Sequence, residues 1–399
     1  MRKSQIIIGG IIALIVGIQA CEKFEPGLPL EDSLLDGPIE GLSLSEMQRF
    51  NDGDRTFNDE VFTVEKGLGP LFVSNSCVSC HAGDGKGNPF STLTRFGQVD
   101  ETGNQFLHLG GPQLQNRAIS GYQPEVLPMG ATFSRFTPPA VTGLGLLEFV
   151  LDDVLLQMAD PNDLDGDGIS GRVNWINIPS YIKPRSGSIS HNGRYIGRFG
   201  KKASVYDLLQ QTVDAFAQDM GISTLYHPID VYSGQNADPE ISTQRVNNVG
   251  FYLQTLKAPI PRNQTDSEVI KGKALFTQVN CSSCHQPKLT TGNAPISALA
   301  FKDFYPYTDL LLHDMGLGLD DGYTEGTAKT NEWRTPPLWG LGLSPNSQGG
   351  KYFLMHDGRA TSIEQAIELH GGEAVASRQQ YNNLSPTDKA AIIKFLKSL

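Results

Sequence analysis

The chain has 399 residues, enough for two or three domains of ordinary size, and its 43 Gly and 24 Pro make up about 17% of it against a typical ~12%, so turns and shaped loops must be abundant. Thirty-two basic against 43 acidic side chains give a net charge of −11. That balance excludes nucleic-acid binding through a basic surface; it leaves open a basic partner or a merely solvated acidic surface.

Arg2 and Lys3 precede an apolar run from Ile6 to Ala20, which ends at Cys21. A membrane span needs ~20 residues, so residues 1–20 fit a signal peptide better than a span. Ile18-Gln19-Ala20-Cys21 looks like a lipobox, in which the Cys is acylated and becomes the mature N-terminus; an uncleaved anchor with an incidental Cys is the other reading. Both put the remainder outside the cytoplasm, and the lipobox predicts an exported, periplasm-facing protein held to a membrane by lipid on Cys21. The mature chain would carry 30 basic and 43 acidic residues, net −13. Residues 21–56, rich in Pro, Gly and acids as far as about Leu42, read as a tether to the folded body.

The other four cysteines form two pairs, Cys77-Val78-Ser79-Cys80-His81 and Cys281-Ser282-Ser283-Cys284-His285. Both are C-x-x-C-H, the attachment signature of a c-type heme. Two thiols three positions apart on a helical turn reach the two vinyl groups of one porphyrin, and the adjacent His lies under the iron. A four-cysteine zinc site would leave both His residues without a role, and a thioredoxin-like pair would want a βαβ setting. The pattern therefore predicts two covalently bound hemes with His81 and His285 as proximal ligands.

The chain repeats itself around these motifs. Leu71-Phe72 and Leu275-Phe276 precede them at one spacing, with Lys66-Gly67 and Lys271-Gly272 further upstream. Thr137-Pro138-Pro139 with Gly143-Leu144-Gly145-Leu146 is echoed by Thr335-Pro336-Pro337 with Gly340-Leu341-Gly342-Leu343. Ile241–Leu256 and Leu384–Leu399 then read as closing helices capped by Ser242 and Ser385. The predicted fold is mainly α: two fused cytochrome c-like modules with long loops, residues 57–258 and 259–399, each with a heme-binding helix and a terminal helix across it. Pro259 and Pro261 mark the boundary.

Module one also carries an insert. Asp163, Asp165 and Asp167, with Gly168 at the sixth position, resemble a calcium loop, but position twelve is Asn174 where an EF-hand has Glu; an acidic Gly turn is the plain alternative. A second helix over about Ser204–Met220 is amphipathic through Leu208, Leu209, Val213 and Phe216 and is expected to serve packing.

The run Trp333-Arg334-Thr335-Pro336-Pro337, His356-Asp357-Gly358-Arg359 and Ser362–Ile367 is similar to the second heme module of bacterial diheme cytochrome c peroxidases and of the methylamine-utilisation diheme enzyme. Gly110–Leu114, Asp165–Arg172 and Gly371–Ala374 resemble more closely the bacterial di-heme oxidoreductase family, often labelled peroxidase or thiol oxidoreductase. The likeness covers nearly everything beyond Phe57. No free Cys pair remains for thiol chemistry, so the second label finds no support.

In the peroxidases, the residue fourteen positions after the His of the His-Asp-Gly motif is the second axial ligand of the C-terminal heme. Here that position is His370, so the resemblance implies a bis-His heme held by His285 and His370, of lower potential than a His/Met heme. Met315 is the rival ligand, and Met355 a weaker one. For the N-terminal heme no equally clear distal ligand exists among His108, His191 and His227, and an open position is what peroxide chemistry requires. The resemblance implies an acid/base Glu after the first Thr-Pro motif, and Glu148 is the nearest match. The expected activity is peroxidase-like, with electrons passing from an external donor such as a small cytochrome through the bis-His heme to the open one. The alternative is a non-catalytic diheme electron-transfer protein.

Overall fold

The computed structural model describes residues 37–399; the signal segment, Cys21 and the first part of the tether lie outside the described residues. Helices are α1 Leu44–Asp54, α2 Leu144–Glu148, α3 Asp152–Met158, α4 Leu208–Asp214, α5 Thr243–Thr255, α6 Ser267–Gln278, α7 Ser344–Ser347, α8 Ile363–Glu368, α9 Val375–Asn382 and α10 Pro386–Ser398. Strands are short and antiparallel: residues 71–72 pair with 117–118, 93–96 with 133–136, 289–290 with 303–304 and 312–314 with 332–334, while 194–196 joins 175–176 to 190–191. Long connections fill the rest, as the Gly and Pro content requires.

The helix starts follow from capping chemistry. Ser242 Oγ accepts from Arg245 N at 3.4 Å, and Ser385 Oγ from Asp388 N at 3.2 Å, as the sequence predicts. The N-terminus of α1 has a capping box, with Ser43 N donating to Glu46 Oε2 at 2.8 Å and Glu46 N to Ser43 Oγ at 3.3 Å. This corrects the tether expected over residues 21–56: from Leu44 onward the chain is helix, with Phe50 buried in the main apolar core. Pro, Gly and acids just upstream hide the helical spacing of Met47, Phe50 and Asp54 in a composition-based reading.

Two helix pairs share one geometry. A Cβ on Gly53 of α1 would lie 2.1 Å from Asn248 O of α5, and a Cβ on Gly272 of α6 would lie 2.0 Å from Ala391 O of α10, so both crossings bring backbone onto backbone. Asn248 and Ala391 each sit five residues into their helix. Gly145 meets Gln254 O and Gly342 meets Lys397 O in the same way, each with only 1.9 Å for a Cβ. Gly143 N donates to Leu256 O and Gly340 N to Leu399 O, both at 3.1 Å.

One feature of the sequence repeat is corrected by these contacts. The partner of Gly272 is Gly53, not Gly67, which ends a short 3₁₀ turn at φ +91° against Glu240. The partner of Phe276 is Phe57, not Phe72: Phe57 stands 5.9 Å from the His81 ring and 5.4 Å from Tyr252, as Phe276 stands 6.2 Å from His285 and 5.5 Å from Phe395. The segment ahead of Cys77 is a turn, strand and loop, not the heme-binding helix expected there. The helix expected from Ser204 starts at Leu208 and continues after Asp214 as a π-helical turn, Ala215–Asp219.

A second apolar core gathers α6, α10 and the α8 region around Phe276, Ile363 and Phe395. Polar links tie residues 325–334 to earlier segments. Arg172 pairs with Glu332, Asn174 Nδ2 donates to Lys202 O and Glu325 O, and the Lys202 ammonium donates to the carbonyls of Lys329, Thr330 and Glu332 at 2.7–3.0 Å. A lysine with three carbonyl acceptors is a satisfied structural group.

Candidate functional site

Both Cys pairs sit on a helical turn. Cys80 N and His81 N donate to Cys77 O at 3.1 and 3.0 Å, and His285 N donates to Cys281 O at 3.1 Å. The side chains at the first Cys, the second Cys and the His therefore project from one turn, as porphyrin attachment needs. The four thiols are free, and among the described residues no three of them come within 4.8 Å of one another, which removes the zinc alternative. Burial pushes the Cys77 and Cys281 thiols up to about 12, the opposite of a reactive thiolate.

Both motifs open onto one internal cavity of about 450 Å³, whose wall includes Cys77, Cys80, His81, Cys281, Cys284, His285 and His370. Five histidines line it, and their hydrogen bonds sort them. His313 Nδ1 lies 2.7 Å from Glu373 Oε2 and its Nε2 2.8 Å from Asp309 Oδ2. Burial opposes charge on this ring, but its bonds to Asp309, Cys284 and Glu373 prevail and hold its pKa well above the ordinary value. His356 Nε2 is 2.7 Å from Asp321 Oδ2, and its ring stacks on Trp333 with centroids 3.7 Å apart.

The other three share a different pattern. His81 Nδ1 donates to Pro139 O at 2.9 Å, His285 Nδ1 to Tyr307 O at 3.0 Å and His370 Nδ1 to Ala366 O at 2.7 Å. A backbone carbonyl on Nδ1 fixes the tautomer and leaves the Nε2 lone pair for a metal. Burial pushes His81 and His285 down to about 4 and lowers His370 as well, so all three are neutral at pH 7. The rings of His285 and His370 have centroids 6.5 Å apart. Two opposed metal–imidazole bonds of about 2.0–2.1 Å, with roughly 1.1 Å from each nitrogen to its ring centre, require about 6.3 Å. The residues fit a heme iron between them.

His370 reaches this place from the end of α8. Ile363, Ala366, Ile367 and His370 all line the cavity, and His370 N donates to Ile367 O at 3.1 Å just past the helix. Met315 and Met355 also line the wall, whereas His108, His191 and His227 do not. Among the described residues the one pairing of two histidine rings in the cavity is that of His285 with His370, and His81 has no such partner.

The acid/base role expected of Glu148 is not what its geometry offers. It is 3% exposed and sits on α2 beside Leu144 and Leu147, which do line the cavity, but it does not. Its Oε2 accepts from Leu208 N at 3.1 Å and its Oε1 from Gln254 Nε2 at 2.9 Å, so it joins α2, α4 and α5. Burial, opposed by Arg185 and aided by Asp207, pushes its carboxyl up to about 7. The cavity's own polar wall includes Arg95, Gln113, Gln211, Asp214, Gln218 and Glu325. Arg95 Nη1 donates to Gln218 Oε1 at 2.9 Å, and burial pushes Asp214 up to about 7, against the pull of Arg95. Four of these residues come from the segment expected only to pack or from an unmarked strand; polar residues on one face of that segment, at 211, 214 and 218, were the available signal.

In the acidic loop, Asp160, Asp163 and Asp165 bring carboxylates within 4.8 Å of one another. Asp167 instead accepts from Ile169 N at 2.8 Å, and Asn174, the twelfth position, is fully buried on Lys202 and Glu325, away from the loop's carboxylates. The EF-hand likeness thus ends at the turn, and Asp160, outside the motif, is the third carboxylate.

No curated protein sequence matches the chain. Among solved structures it is similar to a Kuenenia stuttgartiensis hydrazine synthase (12% identity, 95% of this chain and 97% of that one, TM-score 0.39). It is similar also to a MauG-like protein associated with microbial copper homeostasis (14% identity, 94% and 95% covered, TM-score 0.41). The family model described as "Di-haem oxidoreductase, putative peroxidase" matches residues 114–399, a span that takes in the second Cys-x-x-Cys-His turn, His285, His370 and, of the polar cavity wall, Gln211, Asp214, Gln218 and Glu325. With the first Cys-x-x-Cys-His turn opening onto the same cavity, the chain belongs to the di-haem oxidoreductase family.

Proposed function

We propose that the protein is a diheme c-type oxidoreductase of peroxidase type, in which a bis-His heme on His285 and His370 passes electrons to an open-site heme on His81. The observation that carries this reading is the contrast between the two sites: a ring pair 6.5 Å apart at one, and a single free Nε2 at the other. Heme supplies the iron redox chemistry when bound. Cys77 and Cys80 would hold the first porphyrin and Cys281 and Cys284 the second, by thioethers. His313, tied to Asp309 and Glu373, keeps its nitrogens off the iron, and His356 does the same through Asp321.

Reducing peroxide to two waters consumes two electrons and two protons, so the open site needs a proton carrier on its wall. Asp214, which lines the cavity, would serve there, whereas Glu148 does not line it. With its carboxyl pushed up to about 7, Asp214 can hold a proton at pH 6 to 7 and release it. The chain would divide near Ala258–Thr265 into two heme modules, be held to a membrane through Cys21 and take electrons from an external donor such as a small cytochrome. Asp160, Asp163 and Asp165 would bind calcium.

The test is peroxide consumption by holoprotein supplied with an electron donor. Asp214→Asn should cut the rate by ~10²-fold or more with both hemes retained. Holoprotein that neither binds nor consumes peroxide would be an electron carrier.

A further inference from the structure

Beyond Arg95, four cations line the cavity, Lys86, Lys201, Arg334 and Arg378, and Arg378 Nη1 is already engaged, donating to Glu368 O at 3.0 Å. Their partly accessible surface opens into the cavity. Arg334 Nε donates to Gly200 O at 2.9 Å and its Nη1 to Thr335 O at 3.0 Å. The ammonium groups of Lys86 and Lys201 have no hydrogen-bond or ion-pair partner among the described residues. Lys202, one residue on from Lys201, has three acceptors, so the chain satisfies a buried lysine where it has a structural use for one. Asp357, whose charge reaches Lys201, is paired with Arg359 instead.

Lys86, Lys201 and Arg334 are held in place by backbone contacts. Arg334 N donates to Lys201 O at 2.9 Å. Lys86 O accepts from Ser347 Oγ at 2.9 Å, and the next residue, Gly87, donates its N–H to Pro138 O at 3.0 Å. Each cation therefore borders one of the two Thr-Pro-Pro runs, 137–139 or 335–337, which also line the cavity. Leaving a charge unpaired away from bulk water is costly. Burial already pushes Lys86 down to about 8 and, with the charges of Lys86 and Arg334, Lys201 down to about 7. An arrangement of this kind is incomplete without an anion.

We propose that Lys86, Lys201 and Arg334 form a carboxylate seat that receives heme propionates inside the cavity, with Lys86 serving the heme on His81. This rests on the heme reading above. On that reading the anion is a carboxylate, because a propionate is the acidic group every heme brings. Lys86 is assigned to the first heme because it follows His81 by five residues and its neighbour Gly87 donates to Pro138 O, next to the Pro139 carbonyl that takes His81 Nδ1. The seat would fix porphyrin rotation about the thioether edge and, by placing positive charge beside the iron, raise its reduction potential.

The experiment compares holoprotein with its Lys86→Gln/Lys201→Gln double variant and a Lys86→Arg/Lys201→Arg double variant. Intact mass is read first, so that a chain without heme overturns the functional reading separately from the seat. Resonance Raman spectra then report the propionate bending bands, and spectroelectrochemical titration the two midpoints. The Gln variant should shift the propionate bands and lower the midpoint of the His81 heme, and the Arg variant should restore both. Unchanged bands and midpoints in a Gln variant that retains its hemes overturn the seat. Should the Gln variant fail to fold, a crystal structure of unaltered holoprotein answers the same question. A propionate oxygen at about 2.7–3.2 Å from Lys86 Nζ supports the seat, and propionates turned to solvent overturn it.

Discussion

Replacing Gly272 by Ala tests the helix crossing that carries Phe276 to the second heme site. The added Cβ would lie 2.0 Å from Ala391 O, 2.6 Å from Ala391 C and 2.7 Å from Phe395 Cβ. Restoring ordinary contact requires α6 and α10 to part by about 1.4 Å, and two of the three obstructing atoms are backbone, which cannot swing aside. Overpacking of a close core contact costs about 1–3 kcal/mol, and here the upper end applies; Ala regains ~1 kcal/mol of helix propensity, leaving a net loss of about 2 kcal/mol. Gly53→Ala should behave alike, since its Cβ would meet Asn248 O at 2.1 Å. Gly250, inside α5, is the control: its nearest neighbour for a Cβ is Thr212 Oγ1 at 3.7 Å, so Gly250→Ala should be neutral or stabilise by up to ~1 kcal/mol. Urea unfolding of holoprotein, followed by circular dichroism and by Soret absorbance, measures all three. Gly272→Ala as stable as the parent, or all three variants shifting together, would refute the backbone-contact reasoning.

Three further outcomes follow from the site. His370→Ala should convert the C-terminal heme from low-spin to high-spin or water-bound, whereas His370→Met should keep it low-spin and raise its potential; a low-spin signal surviving in His370→Ala but lost in Met315→Ala would make Met315 the ligand. Glu148 keeps its proton in the folded protein to about pH 7, against an ordinary 4.5, so folded chains bind more protons than unfolded ones between those values and stability falls as pH rises through that window. The Glu148 share is of order 3 kcal/mol, and Glu148→Gln should flatten the loss measured by urea midpoints at pH 5 and pH 8; an equal loss in both proteins would show that Glu148 is not the source. Removal of calcium with a chelator should lower the melting temperature of the parent but not of Asp163→Asn, and metal analysis showing no calcium at saturation would end that assignment.

Much of the site was legible because its chemistry is local. A C-x-x-C-H turn is set by five consecutive residues, and the Ser caps of α5 and α10 by their own first turns. The resemblance pointed to His370 because the offset from His356 is counted along an unbroken segment, and the fold brings that ring to the cavity wall. What was not legible depends on which distant residues meet. Phe57 precedes Cys77 by twenty residues and Phe276 precedes Cys281 by five, so counting back from the motif found Phe72 and Gly67 where the helix crossing uses Phe57 and Gly53. Glu148 follows two apolar residues on a five-residue helix, and one more step of about 100° turned it from the cavity toward α4 and α5. Lys86, Lys201 and Arg334 stand alone in sequence and converge only in the folded chain.

The spin states of the two irons in oxidised protein test the open site most directly. Low-temperature EPR on holoprotein of verified two-heme mass should give one low-spin signal, from the His285–His370 heme, and one high-spin signal, from the His81 heme, in equal amounts. Peroxide should alter the high-spin signal first. Two low-spin signals of equal weight, with no high-spin iron at any pH where the protein is folded, would contradict the open site and make the molecule an electron carrier.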